Sequence, residues 1–330
     1  MTSKGICPVS QKQQDKRESA GSRGEQPAPF GICFCVEDPD RKGCTELIER
    51  AAENLAADGV PVQHRTPSAA RPQDHPECLY LAEDPKVAQR LVSLGGKTAG
   101  FLHDSNRGET FTGLKYVFDE PDEVDADSYR KAWERLSGIP WTILVTERLI
   151  VRETTVDDVD AFYEIYRDPS MTEFQEGLFA DPEDEKRYTK DYIEKIYGLL
   201  GFGVWTLKRR ADGRVIGRAG FSIRKGFEDV ELGFMIGKAW QGQGYAREAC
   251  EAILNFGRDI LQFPRVQALV KAENEVSIRL CEKLGFTRAE QVTIEEDIYG
   301  GKYPTDGQVT FSPERYGEYI RYVIEYGEGG

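Results

Sequence analysis

The sequence predicts an α/β chain in two parts, a small parallel α/β (Rossmann-like) domain followed by a mixed α+β domain. Three observations carry this. Strand-length apolar runs alternate with helical patterns as far as about residue 137; SGIPW (137 to 141) breaks the alternation; and beyond it strands, a hairpin signal and helices interleave in another order. At 330 residues the chain is long enough for two cores. The expected bounds are 1–29 for a tail, 30–140 for the first domain and 141–330 for the second.

Residues 1 to 29 are polar and nearly free of branched aliphatics. They cannot bury enough surface to offset the entropy of ordering, so the stretch is predicted to be disordered. GICFCV (31 to 36) is a short apolar run of strand length. TELIERAAENLAADG follows with Leu47, Ile48, Ala51 and Leu55 at helical spacing and Gly59 as its stop. CLYLA (78 to 82) is a second strand. Asp84 then stands as an N-cap with Pro85 at the first helical position, and Gly95 and Gly96 end that helix. TAGFL (98 to 102), LKYVF (114 to 118) and a helix around 126 to 137 complete the layer.

In the second domain ILVTERLIVR (143 to 152) reads as a strand. TVDDVDAFYEIYRD reads as a helix opened by Thr155 and Asp158, and another helix runs from Asp181-Pro182 to about Tyr197. GVWTLKRRADGRVIGRAGFSIR is a hairpin turning at Asp212-Gly213. VELGFMI (230 to 236), a helix of about 244 to 260, VQALVK (266 to 271) and a helix of about 275 to 284 stopped by Gly285 follow. Strand-like pieces lie near 307 to 311 and 320 to 326. There is no internal repeat.

Composition narrows the function classes. No run approaches the ~18 apolar residues of a membrane span, and the N-terminus lacks the order of a signal peptide, so no membrane partner and a cytoplasmic location are expected. Cys7, Cys33, Cys35, Cys44, Cys78, Cys250 and Cys281 are scattered without disulfide or zinc spacing and read as reduced thiols, with no metal expected. A net charge of −14, with neither half basic, argues against a nucleic-acid groove and reads either as a solvated acidic surface or as a draw for a cationic substrate. A homodimer stays open.

WQGQGYAREA (240 to 249) sets two glycines before a helix, where unpaired N–H groups and the positive end of the helix dipole coincide; spacing alone reads equally as an anion site or as no more than a tight turn. A nucleoside-triphosphate P-loop is excluded, because no Lys-Ser or Lys-Thr follows Gly244. A dinucleotide fingerprint fails as well: Arg247 replaces its third glycine, and Lys271 stands where the ribose-binding acid belongs. What remains is a strand leading into an N–H-rich turn. Such a turn holds a pyrophosphate through main-chain donors, while the strand edge accepts an extended amide arm. Coenzyme A carries both.

Gln241-Gly242-Gln243-Gly244-Tyr245-Ala246 resembles the Q/R-x-x-G-x-G/A motif of the GNAT superfamily of acetyl-CoA-dependent N-acetyltransferases. TERLIVRE (146 to 153), VELGFMI (230 to 236) and AENEVSIRLCEKLGF (272 to 286) join it, in the order of the branch that includes the ribosomal-protein N-terminal acetyltransferases. The resemblance spans about 143–290. It implies that backbone N–H groups of Gln241, Gly242, Gln243, Gly244, Tyr245, Ala246 and Arg247 bind the pyrophosphate. It also implies that Phe234, Met235 and Ile236 pair with the pantetheine and that Asn274 approaches the cofactor arm; Asn274 can equally be a helix N-cap.

The implied reaction is attack of a neutral primary amine on a thioester, in a ternary complex with acetyl-CoA. It needs a route for the ammonium proton, an oxyanion donor and an acid for the leaving thiolate. The only histidines, His64, His75 and His103, lie in the first domain. The second domain must use carboxylate, thiol, hydroxyl or water. The resemblance puts Glu231 where many family members carry a functional glutamate, the other reading being an exposed strand-face charge or a structural hydrogen bond, with Glu173 and Glu176 behind it. Many members carry tyrosine where this chain has Cys281. A thiol of ordinary pKa, about 8.5, could protonate a thiolate, yet a helix cysteine is also common core material. Ser277 and a water-borne proton are the alternatives.

The first domain resembles, more faintly, a haloacid-dehalogenase-type fold. Its Asp38 and Asp40 are spaced D-x-D but enclose a proline, and no lysine motif is identifiable, so a degenerate, non-hydrolytic domain is expected. The acceptor is a small-molecule amine or a protein N-terminus, set by the loop near 168 to 181 and by 287 to 320, where Tyr299, Tyr303, Tyr316 and Tyr319 either wall a pocket or pack. The competing reading is an acyl-CoA-binding sensor or interaction protein without turnover.

Overall fold

The computed structural model describes residues 30–36, 44–296, 303 and 316–327. The predicted disordered tail, the Asp38–Asp40 pair, Cys7, Tyr299 and the strand piece at 307 to 311 lie outside them. The chain divides into two compact units, Met1–Trp141 and Thr142–Gly330.

In the first unit, β1 (Gly31–Cys35), β2 (Val62–Arg65), β3 (Cys78–Ala82), β4 (Lys97–Leu102) and β5 (Val117–Asp119) form a parallel sheet in the order β2-β1-β3-β4-β5. Alternate residues of β1 and β3 feed two cores. Ile32, Phe34, Leu79 and Leu81 pack with α1 (Cys44–Ala57) and α3 (Ala126–Leu136), through residues such as Leu47, Ala51, Tyr129 and Trp133. Cys33, Cys35 and Tyr80 pack with α2 (Pro85–Ser93), through Val87 and Leu91. Strands buried on both faces read as unbroken apolar runs, which is why GICFC and CLYLA stand out in the sequence. The Asp84 side chain accepts from the N–H groups of Lys86 and Val87 at 2.6 and 3.2 Å, capping α2. β2 carries no sequence signal because VQHR is polar and half exposed.

The second unit is built on an eight-stranded sheet of order β12-β13-β11-β10-β9-β8-β7-β6. The run at 143 to 152 is not one strand. It is β6 (Thr142–Val145) and β7 (Leu149–Arg152), antiparallel about a turn in which Thr146 N–H donates to Leu149 O at 2.9 Å. α4 (Val159–Tyr166) and α5 (Pro182–Tyr192) follow, and α5 runs on through a π-helical turn, Ile193–Tyr197. β8 (Val204–Arg209) and β9 (Val215–Ile223) form the hairpin at Asp212-Gly213. Then come β10 (Val230–Ile236), α6 (Tyr245–Asp259), β11 (Arg265–Lys271), α7 (Glu275–Lys283), β12 (Thr287–Glu295) and β13 (Tyr316–Glu325). Trp205, Phe221, Ile253 and Val266 sit at the centre of its core, fully buried. β12 escapes sequence reading because it is a largely exposed, polar edge strand.

Candidate functional site

β9 tracks β10 over its whole length, from Val230↔Ile223 to Ile236↔Gly217. β11 pairs with β10 in parallel only at Val230↔Val266 and Glu231↔Gln267. Gln267 pins that first contact from a fully buried position: its Nε2 donates to Asp229 O at 3.2 Å, and its Oε1 accepts from Arg321 Nε at 2.7 Å. Beyond Glu231 the strands part, so the edge of β10 through Phe234, Met235 and Ile236 has no strand partner on that side among the described residues. Its N–H and C=O groups are a template for an extended ligand.

That edge runs into a turn at Gly237, a short 3-10 segment Lys238–Trp240, and the exposed residues Gln241 to Gly244. Gly242 and Gly244 adopt φ of +71° and +82°, left-handed conformations that glycine takes without strain. Gln241 N–H already donates to Lys238 O at 3.3 Å, and the first backbone bond of α6 runs from Glu248 N–H to Gly244 O at 3.1 Å. Among the described residues, the six N–H groups of Gly242, Gln243, Gly244, Tyr245, Ala246 and Arg247 have no acceptor. They lie at the positive end of a helix of 15 residues. Both glutamines brace the turn, Gln241 Nε2 donating to Ile236 O at 2.9 Å and Gln243 Nε2 to Ala239 O at 3.1 Å.

A clamp invisible to local spacing holds the turn from the β6–β7 side. Arg148 donates through Nη1 to Gln243 O at 2.9 Å and through Nε to Glu248 Oε2 at 2.6 Å, and its guanidinium lies 4.4 Å from the centre of the Tyr245 ring. Glu248 Oε1 also accepts from Arg148 N–H at 2.8 Å and from Thr146 Oγ1 at 2.5 Å. Partial burial works to raise the Glu248 carboxyl, but these donors together hold it below the usual glutamate value.

Beside the free edge opens a cavity of about 860 Å³, lined in part by Phe234, Met235, Gly233, Glu231, Glu176 and Tyr188. Glu231 is 8 % exposed, and its Oε2 accepts from Arg224 Nε at 3.0 Å. Glu176 reaches the same cavity, whereas Glu173 is not among its lining residues. Two lining residues went unremarked in the sequence. Glu185 is buried on α5, accepts from Phe179 N–H at 3.1 Å, and is pushed up by burial against the opposing pull of that hydrogen bond and of Arg218. Arg218 on β9 stacks 4.8 Å from the Phe162 ring centre, and its buried Nε makes no hydrogen bond among the described residues.

On α7, Asn274 caps the helix, its Oδ1 accepting from Ser277 N–H at 3.1 Å. Ser277 is half-buried. Cys281 is fully enclosed in the core, and burial, with Glu282 nearby, pushes its thiol up to about 12. Neither lines the cavity described above. Tyr303 packs against Phe179 and Tyr188 and donates to Asp191 Oδ2 at 2.7 Å; Tyr319 donates to Glu296 Oε1 at 2.8 Å; and Tyr316 is exposed.

No helix among the described residues is long and apolar enough to cross a membrane. The acetyltransferase (GNAT) domain family model matches residues 148–287. The uncharacterized protein YkkB of Bacillus subtilis (strain 168) is 30% identical over 154 residues, 44% of this chain and 84% of its own length. The uncharacterized N-acetyltransferase YnaD of the same organism is 31% identical over 150 residues, 44% of this chain and 82% of its own length. A solved GNAT-family acetyltransferase from Bacillus anthracis aligns at 23% identity with a TM-score of 0.42, covering 55% of this chain and 97% of that one. The residues matched by the family model hold the parted strands and the glycine turn, and the chain belongs to the GNAT acetyltransferase family as an N-acetyltransferase.

Proposed function

We propose that the protein transfers the acetyl group of acetyl-CoA directly to a primary amine within a ternary complex. The observation that carries this reading is the continuity between the unpaired edge of β10 and the six N–H groups that end it. One surface offers strand-type pairing for the pantetheine amides, and the next offers main-chain donors at a helix terminus for the pyrophosphate. In this reading Phe234, Met235 and Ile236 hold the arm, and Gly242 to Arg247 hold the phosphates, with Gln241 bracing the turn. Asn274 faces the arm from the start of α7.

The cavity beside Met235 then receives the acceptor. Its carboxylates Glu176, Glu185 and Glu231 favour a cationic amine, consistent with a net charge of −14. Glu231 takes the ammonium proton, directly or through water, and the amine attacks the thioester carbonyl. N–H groups on the exposed edge of β10 stabilise the oxyanion, and the departing thiolate is protonated by Ser277 or through water. Cys281 is not given that role, because its thiol lies within the core. The acceptor class is a small amine or a protein N-terminus.

The test is release of free CoA thiol when the full chain is given acetyl-CoA and a panel of amines and N-terminal peptides. At least one amine is expected to release CoA in step with its own acetylation. Calorimetric binding of acetyl-CoA with no release across the panel would reduce the protein to a binder.

A further inference from the structure

The first unit contains a cluster that the acetyltransferase chemistry does not use. Cys44 opens α1, Glu83 follows β3 directly, and His103 follows β4 directly. In a parallel sheet, residues just beyond the strands gather at its C-terminal edge. The strand order β2-β1-β3 reverses direction at β1, which makes the crevice between β1 and β3 the place where open α/β sheets bind ligands. Cys44 and Glu83 come from the two sides of that crevice.

We propose that Cys44, Glu83 and His103 bind a thiophilic divalent cation of the zinc type. Their ligating atoms all lie within 4.8 Å of one another, with Cys44 Sγ 3.7 Å and His103 Nε2 3.1 Å from Glu83 Oε2. Tetrahedral zinc with ordinary bond lengths separates sulfur, nitrogen and oxygen ligands by about 3.3–3.6 Å, so the two separations from Glu83 are close to edges of the coordination shell, and the sulfur–nitrogen separation, within 4.8 Å, needs at most a side-chain adjustment. Thiolate, imidazole and carboxylate together select zinc over magnesium or calcium. Exposures of 0%, 7% and 3% for Cys44, Glu83 and His103 make charge balance important. One thiolate, one carboxylate and a divalent cation sum to zero, which a dry site tolerates.

The surroundings hold the ligands in place. Asn106, itself buried, donates through Nδ2 to Glu83 O at 2.9 Å and to Phe101 O at 3.0 Å, and its Oδ1 accepts from His103 N–H at 2.7 Å. One amide thus ties the ends of β3 and β4 together at the two ligands. In the metal-free cluster His103 Nδ1 accepts from Ser105 N–H at 3.4 Å, which leaves the ring proton on Nε2 toward Glu83. On binding, Cys44 releases its thiol proton to solvent, Glu83 binds as carboxylate, and His103 moves its proton to Nδ1, giving up the long bond from Ser105 so that Nε2 can ligate. A water completes the fourth position.

The test uses the full chain, stripped with a chelator and titrated with cobalt(II) and then zinc. One cobalt per chain is expected, with a thiolate-to-metal charge-transfer band and the strong visible bands of a four-coordinate ion, both abolished by one equivalent of zinc. Cys44→Ser should remove the charge-transfer band, while Cys250→Ser keeps it. Asn106→Ala should keep the band and weaken binding by about tenfold to a hundredfold, as loss of a group orienting the ligands does. Absence of the band in the native chain, or its persistence in Cys44→Ser, overturns the proposal; the first result is independent of whether any variant folds.

Discussion

Arg148 and Glu248, 100 residues apart, meet through a 2.6 Å hydrogen bond between Nε and Oε2, and Arg148 reaches past it to the carbonyl of Gln243. The pair fixes the glycine turn relative to the β6–β7 hairpin. Arg148→Ala removes both contacts and the stacking on Tyr245. Because Arg148 is 40% exposed, the loss is discounted to ~1 kcal/mol. A fall of about 2–4 °C in Tm and a rise of about fivefold in KM for acetyl-CoA, with kcat little changed, are expected. An unchanged KM in steady-state kinetics would separate the clamp from cofactor binding.

Gly244→Ala asks a residue with Cβ to adopt φ of +82°, although the added methyl meets only Arg148 Nη2, at 3.4 Å. At Gly242, φ +71°, a Cβ meets nothing within 4 Å. Strain rather than collision therefore decides, at about 1–2 kcal/mol for each site. Each alanine variant should relax the turn, scatter the N–H groups and raise KM for acetyl-CoA by about fivefold to thirtyfold. Wild-type KM in both variants would show that the left-handed geometry is unrelated to cofactor binding.

What could be read from the sequence follows a physical divide. The turn was legible because positive φ is a local demand that leaves glycines behind, and β1 and β3 were legible because burial on both faces forces every residue of GICFC and CLYLA to be apolar or small. β2 and β12 were illegible because edge strands satisfy water on one side and lose the apolar signature. The strand at 143 to 152 was read as one because its polar interruption, Thr146-Glu147-Arg148, carries no glycine, proline or Asx turn signal; the turn is held by contacts with α6 and by Arg210, which donates to the carbonyls of Thr146, Glu147 and Arg148. No spacing rule brings Arg148 to Glu248, or Cys44 to Glu83 and His103. Chain topology does, and it also puts Cys281 in the core rather than at the cleft.

Glu231 sits at the last paired position of β10 and β11, with Arg224 holding Oε2 at 3.0 Å. Glu231→Gln preserves volume and an acceptor for Arg224 but removes the carboxylate that the proposed reaction uses as its base. Turnover should fall by about a hundredfold, while acetyl-CoA affinity measured by calorimetry stays within about twofold. Unchanged turnover would leave Glu231 a structural partner of Arg224.

Glu185 faces the cavity from α5 with its carboxyl pushed up by burial, and Arg218 is the charge that opposes this. Glu185→Gln keeps an acceptor for Phe179 N–H and alters only the charge beside the acceptor. KM for the amine should rise by about tenfold with KM for acetyl-CoA unchanged, since one charge contact is worth ~1.5 kcal/mol or more in a site shielded from water. A parallel change in both constants would point to a general loosening of the fold.

The final prediction concerns pH and stability. Asp158, 4% exposed, accepts from Arg152 Nη1 and Nη2 at 2.7 and 2.6 Å, from Thr155 N–H at 2.9 Å and from Thr206 Oγ1 at 3.0 Å. Burial works to raise its carboxyl, but the Arg152 bonds and the other donors outweigh it and hold the value below the ordinary one. A depressed carboxylate contributes stability that is complete above its unfolded value, about 3.9, and is lost as pH falls through the lower folded value. Asp158→Asn leaves Arg152 without its counter-charge and weakens the start of α4, costing ~3 kcal/mol and about 6–12 °C in Tm at neutral pH. The gap between native and variant chains should hold from pH 7 to about 5 and close as the acid range is entered. A gap independent of pH down to acid unfolding would mean that the charge on Asp158 contributes nothing beyond its shape.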